Sequence, residues 1–183
     1  MSALNTIFIL SLAFLAVFVE ASFGGLRRLL GVQIDLLPGL MVYASLSAGY
    51  LTVALVAVLG GLWFDSLSAN PLGVSILPLF LIGFAVQQFR HLILRQQTYA
   101  QLVLGFSASG FAPLLTLVIL FSSGSEPMLG LGFIWQWFVM TVFGGLLVPL
   151  YFKLFDQVYR ILGYERVVEP GFRHDREIAR GRK

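Results

Sequence analysis

The 183-residue chain contains no cysteine, which excludes disulfides and thiolate metal ligands. Charge is almost as scarce, at 11% of residues against roughly 25% in soluble domains. The two histidines, His91 and His174, stand far apart beside basic residues and make a poor metal pair. No nucleophile–base pair, phosphate loop or metal cluster stands out. The sequence therefore leads us to expect no enzyme, no cofactor, no metal and no nucleic-acid partner. A strand-built barrel is disfavoured too, because sustained alternating polarity is missing and lipid admits only helices or closed barrels.

What the chain has is apolar length. Hydrophobic residues make up 58% of it, and charge-free runs occupy 2–19, 36–64, 66–89, 96–125 and 127–152. A bilayer core needs about 20 helical residues, so the expected fold is all-α and polytopic. The first run leads to Glu20 and Phe23-Gly24-Gly25, without the basic start and small-residue cleavage pattern of a signal peptide, and reads as a retained helix. Spans are expected near 4–22, 72–93, 100–121 and 132–155, with Pro113 and Pro149 as helix-kinking positions.

The run 36–64 decides the count. As one helix, its 29 residues would extend about 43 Å, well beyond a core of roughly 30 Å. Broken around Ser47-Ala48-Gly49 it gives two short helices, the first, from Pro38, re-entrant or buried by protein. Six spans put Arg90, Arg95 and the basic tail on the cytoplasmic side but leave Arg27 and Arg28 outside. Five spans put every basic cluster inside, as the positive-inside rule prefers. Residues 1–160 are expected to form a single transmembrane domain. The stripe Leu154, Val158, Ile161 and Leu162 lets the last helix continue along the membrane surface. The charged remainder, 161–183, is expected to be a disordered cytoplasmic tail.

Among the few polar positions, Asp65 is the most isolated, with no other ionisable residue from Leu36 to Phe64 or again until Arg90. An intramembrane carboxylate needs a partner. It reads either as the lock of a tight helix–loop–helix, bonded to Ser66, Ser68, Asn70 or nearby amides, or as an ion or proton site. In the lock reading, Asn70-Pro71 makes a turn, Pro71 seeds the next helix and Gly73 permits close packing. Asp35 either caps the helix that follows, with Pro38 in its first turn, or meets a basic side chain. Glu20 reads as interfacial. Gly60-Gly61, Gly105, Ser107-Ala108-Ser109-Gly110 and Gly144-Gly145 read as close helix packing, or as the lining of a cavity. Trp63, Trp135 and Trp137 read as interface anchors.

Two local patterns carry a resemblance. Asp35-Leu36-Leu37-Pro38, with Tyr43 beyond, and Gly60-Gly61-Leu62-Trp63-Phe64-Asp65 followed by Ser66, Ser68 and Asn70-Pro71-Leu72-Gly73 resemble the MreD family of bacterial rod-shape-determining membrane proteins. The specific part covers about forty residues; the layout covers most of the chain. The resemblance implies a six-helix fold like the substrate-binding component of energy-coupling-factor transporters. It also implies a non-catalytic scaffold of the cell-wall elongation complex in the bacterial inner membrane. The partners it implies are an MreC-like bitopic protein, the RodA glycosyltransferase and its penicillin-binding transpeptidase partner, directly or through MreC, then MreB and membrane lipid. It carries over Asp35, Pro38, Asp65, Pro71 and Gly73 as architectural or partner-contact positions. The runner-up is a vitamin-like substrate-binding subunit of a transporter.

Overall fold

A computed structural model describes residues 2–22, 31–32, 34–68, 71–93, 97–124 and 130–161. Six helices run through them: α1 (Ser2–Ser22), α2 (Leu37–Ser47), α3 (Tyr50–Leu67), α4 (Ile76–Gln88), α5 (Thr98–Ser122) and α6 (Leu131–Ile161). Four of these, α1, α3, α5 and α6, are long and apolar enough to cross a membrane. The chain is a multi-pass membrane protein. α2 and α4, with 11 and 13 residues, reach only about 16 and 20 Å.

The run 36–64 is two helices. α2 stops at Ser47, Ala48 turns to an extended conformation, and α3 starts after Gly49. α2 is then the centre of the bundle: Leu37 to Leu46 are all buried, as expected for a helix apolar on every side. It packs against α1, α3, α4, α5 and α6. Tyr43 stacks on Phe155 at 4.1 Å and meets Phe152 edge-on at 4.9 Å, while the Tyr151 hydroxyl donates to the Leu36 carbonyl at 3.1 Å. The second and last helical regions, distant in sequence, thus hold each other.

α5 and α6 form the most extensive helix pair, and glycine makes it possible. A Cβ on Gly144 would overlap Ser109, one on Gly145 would meet the Phe106 ring at 2.7 Å, and one on Gly105 would meet Val148 at 2.7 Å. Without a hydrophobic drive between helices in lipid, such close approach gains dispersion contact instead. Gly83 does the same for α4 against Val53 and Met41. α5 and α6 continue through Pro113 and Pro149. α3 carries a π-helical stretch, Val56–Gly60, a wide turn of the kind that recurs inside α-helices near special sites.

Polar contacts gather at the two ends of the bundle. At one, Asn5 donates to the Ser47 carbonyl and accepts from Tyr159, and Thr6 bonds Thr52 at 2.7 Å. The Gln87 amide and the Arg90 guanidinium both donate to the Ala48 carbonyl, at 3.2 and 3.4 Å. The starts of α1 and α3 therefore share this end with the finishes of α2, α4 and α6. Glu20, Asp35, Asp65 and Ser75 mark the opposite end, so successive helices alternate in direction.

Sequence expectations were least accurate at edges. The span expected over 72–93 is helical only from Ile76 to Gln88, because a turn precedes it and another follows. The indole N–H of Trp137, expected as an interface anchor, donates to the Gly110 carbonyl at 2.9 Å. Trp63 packs edge-on to Phe14 within the fold. Expectations for Arg27, Arg28, Asn70, Arg95, His174 and residues 162–183 fall outside the described residues.

Candidate functional site

Asp65 ends α3 and is 2% exposed. Its Oδ2 accepts the Gly73 amide at 2.8 Å and the Ser75 amide at 3.1 Å, and its Oδ1 accepts the Ser75 hydroxyl at 2.5 Å. The Ser68 amide and hydroxyl donate to the Asp65 carbonyl. A carboxylate that accepts several hydrogen bonds fixes whatever carries those donors. Here it fixes the loop from α3 to α4.

The loop's other residues have separate tasks. Pro71 does not seed a helix; its carbonyl accepts the Val74 amide in a turn that precedes α4. Gly73 is needed for its backbone rather than for packing, since φ is +92° and an added Cβ would meet nothing closer than 3.9 Å. Close approach belongs to Gly61, where a Cβ would lie 3.0 Å from the Ile76 backbone nitrogen, and less tightly to Gly60 against Leu37 at 3.4 Å. Ser75 is the partner that sequence reasoning did not find. Its signal is a serine one residue before an apolar helix, a common capping position.

Asp35 precedes α2, and its Oδ1 accepts the Leu37 amide at 2.9 Å, with Pro38 in the first turn. Burial raises the Asp35 carboxyl to about 6; the Leu37 hydrogen bond opposes the rise and the Asp65 charge adds to it. Arg90 lies at the far end, on the Ala48 carbonyl, and does not meet either aspartate.

Between the helix ends on the acidic side is a cavity of about 270 Å³. Glu20, Asp35, Ser68, Ser75, Thr116 and Gln136 supply its polar wall. Glu20, two residues before the end of α1, is among the lining residues. A second hollow of about 260 Å³ lies between α1 and α3, walled by Phe14, Val17, Phe18, Trp63, Ser66 and Leu67. Among the described residues no group of three or more His, Asp or Glu could hold a metal ion.

No protein-family profile, no curated protein and no solved structure matches the chain.

Proposed function

We propose that the chain is a membrane adaptor of the MreD kind, acting without chemistry of its own in the cell-wall elongation complex of a bacterial inner membrane. The groove between α1 and α3 carries this reading. It opens on the outer side of the bundle, and Phe14, Phe18 and Leu67 on its rim are more than half exposed. An apolar channel of that kind suits the single transmembrane helix of an MreC-like bitopic protein, through which RodA, its transpeptidase partner and MreB would be engaged. The bonds of Asp65 support a scaffold, since its oxygens hold the protein's own loop.

In this reading all six helices count as crossings, the short α2 and α4 being embedded among the longer ones. The end bearing Arg90 faces the cytoplasm, by the positive-inside rule, and the acidic end faces outward. Six alternating helices are also what the sequence resemblance implies, a fold like the substrate-binding component of energy-coupling-factor transporters.

The test is copurification from native membranes with partners identified. An MreC-like protein should come with the wild type and be lost from Phe18→Ala/Leu67→Ala while that variant stays monodisperse. A stable wild-type chain that captures none would overturn the adaptor reading. The polar cavity favours a second reading, a small-molecule-binding subunit of a transporter, which predicts saturable uptake-linked binding in place of MreC capture.

A further inference from the structure

A helix that faces lipid must match the hydrocarbon it stands in, because irregular backbone exposed to lipid finds no hydrogen-bond partners there. α2 escapes this demand, being buried along its length in the centre of the bundle. α4 does not. Leu77, Phe80, Leu81 and Phe84 turn an apolar face outward, each 39–50% exposed. Yet its 13 residues reach about 20 Å, against a hydrocarbon core of roughly 30 Å. The backbone leaves the helix at both ends, since 72–75 and 89–92 are turns. Leu72 at one end, and Phe89, Arg90 and His91 at the other, are exposed. Hydrogen bonds fix both levels. Gly73 and Ser75 are held by Asp65, while Gln87 and Arg90 are held by the Ala48 carbonyl and Gln88 by the Tyr50 hydroxyl. α4 is therefore not free to lengthen or slide toward a thicker bilayer. The other side of the protein is much taller. α5 and α6, with 25 and 31 residues, reach about 38 and 46 Å. Exposed apolar side chains follow α5 from Tyr99 to Phe121 and α6 from Leu131 to Leu154.

We propose that the α4 face is a lipid-contact surface that thins the bilayer against it, to hydrocarbon about the height of α4. Phospholipid is the occupant. Its headgroups are drawn in to the level of Arg90 in one leaflet and of the turn after Pro71 in the other, where water can serve both turns. The protein thus carries a step in membrane thickness, low beside α4 and high beside α5 and α6. This rests on α4 as a crossing helix, part of the six-helix reading. It is independent of the adaptor role, whose groove lies between α1 and α3.

The test uses the full chain, which has no native cysteine, in nanodiscs of dioleoyl- or the shorter dimyristoleoylphosphatidylcholine. Single nitroxide labels go on Leu72→Cys, Leu81→Cys and Phe89→Cys for α4, and on Tyr99→Cys and Phe121→Cys for α5. All five positions are exposed, and an unchanged gel-filtration profile certifies each fold; Leu92→Cys replaces Phe89→Cys if yield falls. Depth is read from the label's relative accessibility to oxygen, which concentrates in hydrocarbon, and to a nickel chelate, which stays in water. Leu81→Cys should favour oxygen. Leu72→Cys and Phe89→Cys should favour nickel in both lipids, as strongly as Tyr99→Cys and Phe121→Cys, although the α5 pair stands about 33 Å apart. Oxygen favoured at Leu72→Cys and Phe89→Cys in dioleoyl lipid, with nickel favoured only in the shorter one, would overturn the proposal and leave α4 a crossing helix. Nickel favoured at Leu81→Cys would overturn the crossing and the proposal together. Shielding of the α4 sites from both reagents would overturn it too, and would mean that a second copy of the chain covers the face.

Discussion

Ser75 gives both its amide and its hydroxyl to Asp65, ten positions earlier, so the two residues pin the end of α3 to the start of α4. With the Gly73 amide as a third donor, Asp65 replaces the water that these groups would otherwise need.

Asp65→Ala should therefore destabilise the fold strongly. Hydrogen bonds to a carboxylate contribute about 1.5–3 kcal/mol each, so a loss of at least about 3 kcal/mol is expected if two of the three bonds count in full. Asp65→Asn, which keeps one good acceptor, should cost less. Thermal unfolding in detergent and the yield of monodisperse protein report both; an unchanged midpoint for Asp65→Ala would show that the loop holds without its carboxylate.

Gly73 tests the same loop through its backbone. At φ +92°, alanine would be strained by roughly 1–2 kcal/mol, with no steric contact to blame. Gly61→Ala should be at least as damaging for the opposite reason, because its Cβ meets the Ile76 backbone, which cannot swing away. If Gly73→Ala were neutral while Gly61→Ala was not, the loop would have another accessible conformation.

The break at Ala48-Gly49 was half legible: one helix over 36–64 would overshoot the bilayer, while the basic residues favoured a single span there. α2's burial was legible in its shortness, since a helix starting at Pro38 and broken near Ser47 is too short to face lipid across the whole bilayer. The Asp65 lock was legible as a charge between two apolar runs, but Ser75 as its partner was not, because a loop's path decides which of several hydroxyls returns to the carboxylate. Helix faces were hidden for a physical reason. Lipid and bundle interior are both apolar, so periodicity does not separate the exposed Phe14 and Phe18 from the buried Ala13 and Val17. The contacts of Glu20 with the cavity and of Trp137 with Gly110 were not legible on the same account: closeness to a helix end says nothing of which neighbour a side chain turns toward.

The α5–α6 contact yields a paired prediction. Gly144→Ala would drive a methyl into Ser109, and overpacking of this kind costs about 1–3 kcal/mol. Ser109→Gly should recover most of that loss in the double variant, although it weakens the helix by itself. Ser109→Ala should be neutral or mildly stabilising, since its buried hydroxyl has no hydrogen-bond partner. Thermal midpoints of the two singles and the double give the coupling; strict additivity would mean that the two residues do not touch.

Cysteine labelling can decide the topology because the chain has no native thiol. α1 places Ala3 and Ser22 at opposite ends, both exposed, and the bundle puts Ala3 at the same end as Arg90 through the contacts of Asn5 and Arg90 around Ser47 and Ala48. An impermeant maleimide applied to intact cells should thus label Ser22→Cys and Ser66→Cys, and should reach Ala3→Cys and His91→Cys only after permeabilisation. The five-span arrangement agrees on Ser66 and His91 but puts Ala3 outside, so Ala3 and Ser22 discriminate. Labelling of Ala3→Cys in intact cells, with Ser22→Cys protected, would mean that α2 does not carry the chain across. α1 would then enter from the outer face, in conflict with the alternation that brings Asn5, Ser47 and Tyr159 together.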